Sequence, residues 1–198
     1  TGLTALLGSP VAHSISPLMH NESFRLLGLD YVYLCFDVNE ETLPAAVAGL
    51  KTCGIRGFNL TMPNKNKIVE LLDELSPEAQ LIGAVNTVLN DNGKLIGYNT
   101  DGYGFMQSVR DAGHDITGKN ITVMGVGGAS MAICAQSALD GAASVHIFAR
   151  RTSRYWNRTQ KFAENLSAKT GCQVCLFDND DHTALRDSIA QSYLLINA

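Results

Sequence analysis

Apolar and polar positions alternate through Phe58, Asn59, Leu60, Thr61 and Met62, and from Tyr31 to Phe36 the set Tyr31, Tyr33 and Cys35 alternates with Val32, Leu34 and Phe36. A period of two predicts strands, and the apolar run Leu3 to Leu7 predicts another. Between them the spacing lengthens. Leu43, Ala46, Val47 and Leu50 mark one face of a helix closing near Gly54, and the segment from Pro17 to Leu27 predicts a helix stopped at Gly28. Strand, helix, strand, helix, strand is the rhythm of a mostly parallel α/β sheet.

Ser76-Pro77-Glu78 predicts a short helix, the serine capping and the proline taking the first helical position. Residues 83–89 and 94–100 flank Asn90-Asp91-Asn92-Gly93, which predicts a hairpin. A helix from Asp101 to about Asp111 reads as the bridge to a second unit, because the pattern then resets. The boundary falls near Gly102, giving units of 1–101 and 102–198. The second unit opens with the buried strand Ile121 to Met124, a glycine-rich turn and a helix of small residues, then the strand Ser144 to Phe148. A helix from Tyr155 to Lys169, a strand Cys172 to Phe177, a helix Asp181 to Ala190 and a strand Tyr193 to Asn197 complete it. Trp156 reads as core or packing between units.

At 198 residues, 45% hydrophobic and 17% charged, the chain can bury a good core. The net charge of -4 argues against a nucleic-acid partner, which calls for a broad basic surface. No run of about 18 apolar residues predicts a membrane span, and no leader is visible. Five scattered cysteines fit reduced thiols and a cytoplasmic setting, and Cys172 and Cys175 lack the second pair of a zinc site. Small metabolites remain as partners, with no nucleic acid and no membrane; a homodimer is left open.

Several polar residues stand where chemistry could use them. The strand at Gly57 stops at Pro63, whose fixed φ suits the first turn of a helix, and that places Lys65 in the turn. A cation there faces the positive end of the helix dipole, which disfavours the ammonium form and suits proton transfer. Ser16 before Pro17 can cap a helix, while Ser14 and Ser16 together could receive a carboxylate at its N-terminus. Asn86, inside an otherwise apolar strand, must find backbone or ligand partners. Asp101 can serve the dipole of its own helix.

The turn Gly125-Val126-Gly127-Gly128-Ala129-Ser130 lies between a strand and a helix, where glycines let the backbone approach a pyrophosphate. The third glycine of the usual fingerprint is replaced by Ser130. After the next strand come Arg150, Arg151 and Arg154 with no acid, a basic loop suited to the 2′-phosphate of NADP rather than to the ribose hydroxyl of NAD. NADPH is expected over NADH, with NAD as a weaker alternative. None of the five histidines shows ligand spacing, and no metal is expected.

Taken together, His-Ser-Ile-Ser-Pro at 13–17, Asn-Leu-Thr-Met-Pro-Asn-Lys at 59–65, Gly-Ala-Val-Asn-Thr at 83–87, Gly-Tyr-Asn-Thr-Asp-Gly at 97–102 and Gly-Val-Gly-Gly-Ala-Ser at 125–130 resemble the shikimate dehydrogenase family, most of all its quinate/shikimate branch. The resemblance implies an α/β chain with a substrate domain followed by a Rossmann-type doubly wound domain binding NADP through Gly125, Gly127, Gly128, Ala129, Ser130, Arg150, Arg151 and Arg154. It implies that Ser14 and Ser16 hold the substrate carboxylate, that Asn59, Thr61, Asn86 and Asp101 hold ring hydroxyls, and that Lys65 with Asp101 serves the reacting oxygen. The implied activity is reversible reduction of 3-dehydroshikimate to shikimate with NADPH in aromatic amino-acid biosynthesis.

Two departures shape the expectations. Where the NAD-accepting branch carries an acid after its paired arginines, this chain has Thr152, which favours NADP. Family members continue past the position of Ala198, so the nicotinamide side of the site is expected to be incomplete at the C-terminus and the 198 residues alone to turn over poorly. Rival readings are a quinate or aminoshikimate dehydrogenase with the same machinery, and a non-catalytic metabolite sensor, against which Lys65 and Asp101 speak.

Overall fold

The structure, a computed structural model, describes residues 1–198 and divides into two compact units, Thr1–Asn99 and Thr100–Ala198. Unit 1 contains β1 (Gly2–Gly8), α1 (Ser16–Leu26), β2 (Tyr31–Asp37), α2 (Leu43–Thr52), β3 (Gly57–Leu60), a 3-10 turn (Lys67–Leu71), β4 (Glu74–Leu75), α3 (Pro77–Ile82), β5 (Thr87–Asp91) and β6 (Lys94–Tyr98). Its six strands lie in the order β2-β1-β3-β5-β6-β4. β1 runs parallel to β2 and β3, and β4 runs parallel to β6, while β5 is antiparallel to both β3 and β6.

Alternation along the strands sorts unit 1 into two faces. Ala5, Leu7, Phe58, Leu60, Val88 and Leu95 join Leu43, Val47 and Ile68 in one core, each large side chain worth about 1.5–3 kcal/mol on burial. Leu6 and Tyr33 face the other way with Val11. Asn59, between Phe58 and Leu60, therefore points to the Tyr33 side. Ser76 caps α3 by accepting from Ala79 N, and Gly83 ends it with φ 68°. The hairpin turns at Asn92 (φ 52°) and Gly93 (φ 93°), the paired positive angles that a two-residue connection requires.

Unit 2 contains α4 (Asp101–Asp111), β7 (Asn120–Met124), α5 (Gly128–Leu139), β8 (Ser144–Ala149), α6 (Trp156–Thr170), β9 (Gln173–Asp178), α7 (His182–Gln191) and β10 (Leu194–Asn197). Its sheet is wholly parallel in the order β10-β7-β8-β9, half of a doubly wound arrangement reversing direction at β7. α5 is small-residued because α4 crosses it closely: a Cβ on Gly102 would stand 2.2 Å from the Ala132 carbonyl oxygen. Arg110 and Asp140 pair across the same two helices at 2.7 Å.

Four local expectations are corrected. Pro63 does not open a helix; the Met62–Pro63 peptide is cis, residues 62–66 form a turn, and the 3-10 turn begins only at Lys67, so Lys65 has no α-helix dipole to face. Ser16 is not the cap of α1: Ile15 occupies that position, and the Ser14 hydroxyl accepts from Ser16 N at 3.2 Å. Asn86 lies in a bend before β5, not within it. In α6 the buried face is Thr159, Phe162, Ala163 and Leu166; Tyr155 is exposed, and the half-buried Trp156 carries the Arg151 guanidinium on its ring at 4.8 Å instead of entering the core.

Candidate active site

The six polar residues singled out in unit 1 (Ser14, Ser16, Asn59, Thr61, Lys65 and Asn86) belong to segments laced together at one rim of its sheet. Thr61 N donates to Leu7 O and Ser9 N to Met62 O, which ties the exit of β1 to the exit of β3. The Thr61 methyl fills the space over Gly8, where a Cβ would come within 2.2 Å of it. The β1 exit continues through Ser14, whose amide donates to Val11 O, and both Ser14 and Ser16 are half-buried. Val85 N donates to Lys65 O at 2.8 Å, so the Lys65 turn is fastened to the approach of β5.

Asn59 is the most heavily bonded of these residues. Its Nδ2 donates to Asn86 O at 3.2 Å and to Thr87 Oγ1 at 3.0 Å, and its Oδ1 accepts from the Tyr33 hydroxyl at 2.8 Å. Both amide hydrogens are thus spent within the protein, and Oδ1 keeps one lone pair for a ligand hydroxyl. Burial drives the Tyr33 phenol well above its usual range, and the ring stacks on His20 at 4.2 Å, whose own pKa burial lowers. Asn86 Oδ1 accepts from Thr87 Oγ1 at 3.1 Å, while its backbone is anchored by Leu60 N and Tyr98 O. Tyr33 and Thr87, which orient Asn59, were not among the expected site residues. The register Asn59↔Thr87 brings one of them in, and only the folded sheet shows it.

Asn64 is wholly buried beside Lys65, donating from Nδ2 to Val38 O at 2.7 Å, and its Oδ1 has no partner. Asp101 is the first residue of α4 and half-buried, and it belongs to the unit that begins at Thr100.

In unit 2 a cavity of about 290 Å³ opens at the carboxyl ends of the strands, lined among others by Gly125, Arg150, Ser153, Asn179 and Ala198. Gly125 has φ 114°, and a Cβ there would stand 1.9 Å from the Ala198 carbonyl oxygen, so only glycine serves. Gly127 and Gly128 are exposed with open space over them at the start of α5, where the first amides have no partner within the helix, room that a pyrophosphate would use.

The site residues in this unit divide by what they touch. Ser130 is buried and donates its hydroxyl to Gly125 O at 2.6 Å, bracing the turn from within, whereas Ala129 is exposed beside the glycines. Of the three arginines, Arg150 lines the cavity. Arg151 lies on Trp156, and Arg154 lies over Tyr155 at 4.7 Å while donating to its hydroxyl. Ser153, in the cavity wall, was passed over in the sequence; its hydroxyl accepts from Tyr155 N at 3.3 Å. The residues present fit a dinucleotide carrying a 2′-phosphate.

Comparison with known proteins places these features in a family. Residues 6–88 match the model of the shikimate dehydrogenase substrate binding domain. The chain is 50% identical over 198 residues to a protein of Listeria innocua named shikimate dehydrogenase (NADP(+)), covering all of this chain and 68% of that one. Among solved structures it superposes with a TM-score of 0.97 on shikimate 5-dehydrogenase of Listeria monocytogenes in complex with shikimate and NAD, at 49% identity over all of this chain and 68% of that one. Quinate dehydrogenase of Corynebacterium glutamicum in complex with NAD gives a TM-score of 0.86 at 27% identity, covering all of this chain and 70% of that one. No helix is long and apolar enough to cross a membrane. With its substrate-domain match and this identity across its whole length, the chain belongs to the shikimate dehydrogenase family.

Proposed function

We propose that this protein reversibly reduces 3-dehydroshikimate to shikimate with NADPH, as a step of aromatic amino-acid biosynthesis. The observation that carries the reading is the gathering of Asn59, Thr61, Lys65 and Asn86, together with the Ser14 loop, at one rim of the unit 1 sheet. NADPH, when bound, supplies a hydride to the carbonyl carbon. The chain's part is to hold the ring and deliver the proton.

Ser14 and Ser16 receive the carboxylate. Since the Ser14 oxygen already accepts from Ser16 N, its hydroxyl hydrogen is available to donate outward. Asn59 Oδ1 accepts a ring hydroxyl, helped by Thr61 and Asn86. Lys65 protonates the carbonyl oxygen, and Asp101 is the second catalytic group and a further hydroxyl partner. Unit 1 is the substrate domain and unit 2 the NADP domain, with Gly127, Gly128 and Ala129 at the pyrophosphate and Arg150 first among the arginines at the 2′-phosphate. The five cysteines are free thiols, which supports a reducing, cytoplasmic setting.

Shikimate-dependent reduction of NADP⁺ tests the assignment. Lys65→Ala should lower kcat by about 10²–10⁴ while substrate binding changes far less; near-full turnover would remove Lys65 from the mechanism. Quinate is the second reading, favoured by the quinate dehydrogenase neighbour. It would prevail if kcat/KM for quinate exceeded that for shikimate.

A further inference from the structure

At the end of β9 the side-chain oxygen of an asparagine has no partner within the protein. Asn179 lines the unit 2 cavity, its backbone amide donates to Ala149 O at 2.9 Å, and its side-chain oxygen is buried with no partner. Its neighbours are used: Asp178 accepts from Asp180 N, and Asp181 caps α7 by accepting from Ala184 N. An orphaned amide oxygen is rare enough to call for a cause, and no hydrogen bond of Oδ1 stops this amide from turning about its terminal torsion. It can therefore present oxygen, nitrogen or both to whatever enters the cavity.

The position narrows what that is. In the β8–β9 register Ala149 stands opposite Asp178, so Asn179 follows β9 at the level where Arg150 follows β8. Neighbouring strands are about 4.8 Å apart. In a 2′-phosphorylated adenosine the phosphate and the base are carried on adjacent ribose carbons, so a phosphate held at Arg150 leaves the base about one ribose away, beside Asn179. Adenine offers a donor and an acceptor side by side at its amino group and N7, and a primary amide offers the complement, the pairing by which asparagine reads adenine elsewhere.

We propose that Asn179 is a specificity residue that reads the amino edge of the adenine of the dinucleotide. The proposal rests on the reading of unit 2 as NADP-binding. It also explains the unpaired oxygen, which gains its donor only when the base is in place.

Titration calorimetry of the full chain with NADP⁺ and with its deamino analogue, in which hypoxanthine replaces adenine, tests it without recourse to turnover. The wild-type protein should bind NADP⁺ about tenfold more tightly than the analogue, within the range of a two-point side-chain contact to a base. Asn179→Leu and Asn179→Ala should each lose about tenfold for NADP⁺, change little for the analogue and so bring the two within twofold. Wild-type affinities within twofold of each other, or a tenfold preference that survives both substitutions, would overturn the role of Asn179. Failure of both nucleotides to bind the wild-type protein would instead overturn the NADP reading beneath it.

Discussion

Removing the Asn59 side chain should cost unit 1 more than an ordinary surface asparagine would. Asn59→Ala deletes two donated bonds and one accepted bond and leaves the Tyr33 hydroxyl, on a residue only 3% exposed, without its acceptor. Each lost bond is worth about 1 kcal/mol net and a stranded buried hydroxyl about 1–3 kcal/mol. Because Asn59 itself is half-buried, water recovers part of this, and a loss of about 2–4 kcal/mol is expected. A four-member cycle with Tyr33→Phe separates the causes: with the hydroxyl already gone, Asn59→Ala should cost at least about 1 kcal/mol less than in the wild type. Urea denaturation should be followed by far-UV circular dichroism, since the single tryptophan, Trp156, belongs to the other unit. Strictly additive substitutions would show that Tyr33 and Asn59 do not depend on each other and would refute the argument.

Gly125→Ala should destabilise unit 2 by about 3 kcal/mol or more, combining a strained φ with a clash against Ala198, and Trp156 fluorescence in urea would register it; an unchanged midpoint would contradict the close approach. Arg150→Ala should weaken NADPH about tenfold and NADH little in direct titration, because a charge-assisted contact to phosphate is removed. Burial lowers the pKa of His146, which meets Ser188 Oγ at 2.9 Å, so the unfolded chain takes up this proton first as pH falls. Its contribution is therefore fully present above about 6.5 and lost as pH drops through the lower folded value, and the fall in Tm over that window should shrink in His146→Gln.

What could be read from the sequence was what the chain settles locally. Ser76 and Pro77 start α3, Asn92 and Gly93 turn the hairpin, and the alternation through Phe58 and Leu60 gives β3 its buried face, each within a few residues. The Lys65 turn was misread because its shape is held from afar, by Ser9 N on Met62 O and Val85 N on Lys65 O, against the helix start that Pro63 suggests. Ser16 turned out to begin α1 instead of capping it, its amide donating to the Ser14 hydroxyl, because the backbone puts Ile15 at the cap position. Tyr33, Thr87 and Asn179 carried no local mark, because strand pairing or a cavity wall gives each its importance. The arginine run was visible as charge, but which arginine turns inward depended on aromatic platforms at Trp156 and Tyr155.

The reversed direction of β5 has a practical consequence. It lets a residue entering one strand meet residues leaving its neighbour; had β5 run with β3, Asn86 would emerge roughly 13 Å away, four residues at about 3.3 Å each. The same reversal sends the Asn92-Gly93 tip to the far margin of the sheet. That tip is accordingly the place on unit 1 to graft a reporter peptide or an affinity tag, since lengthening it displaces none of the proposed site residues.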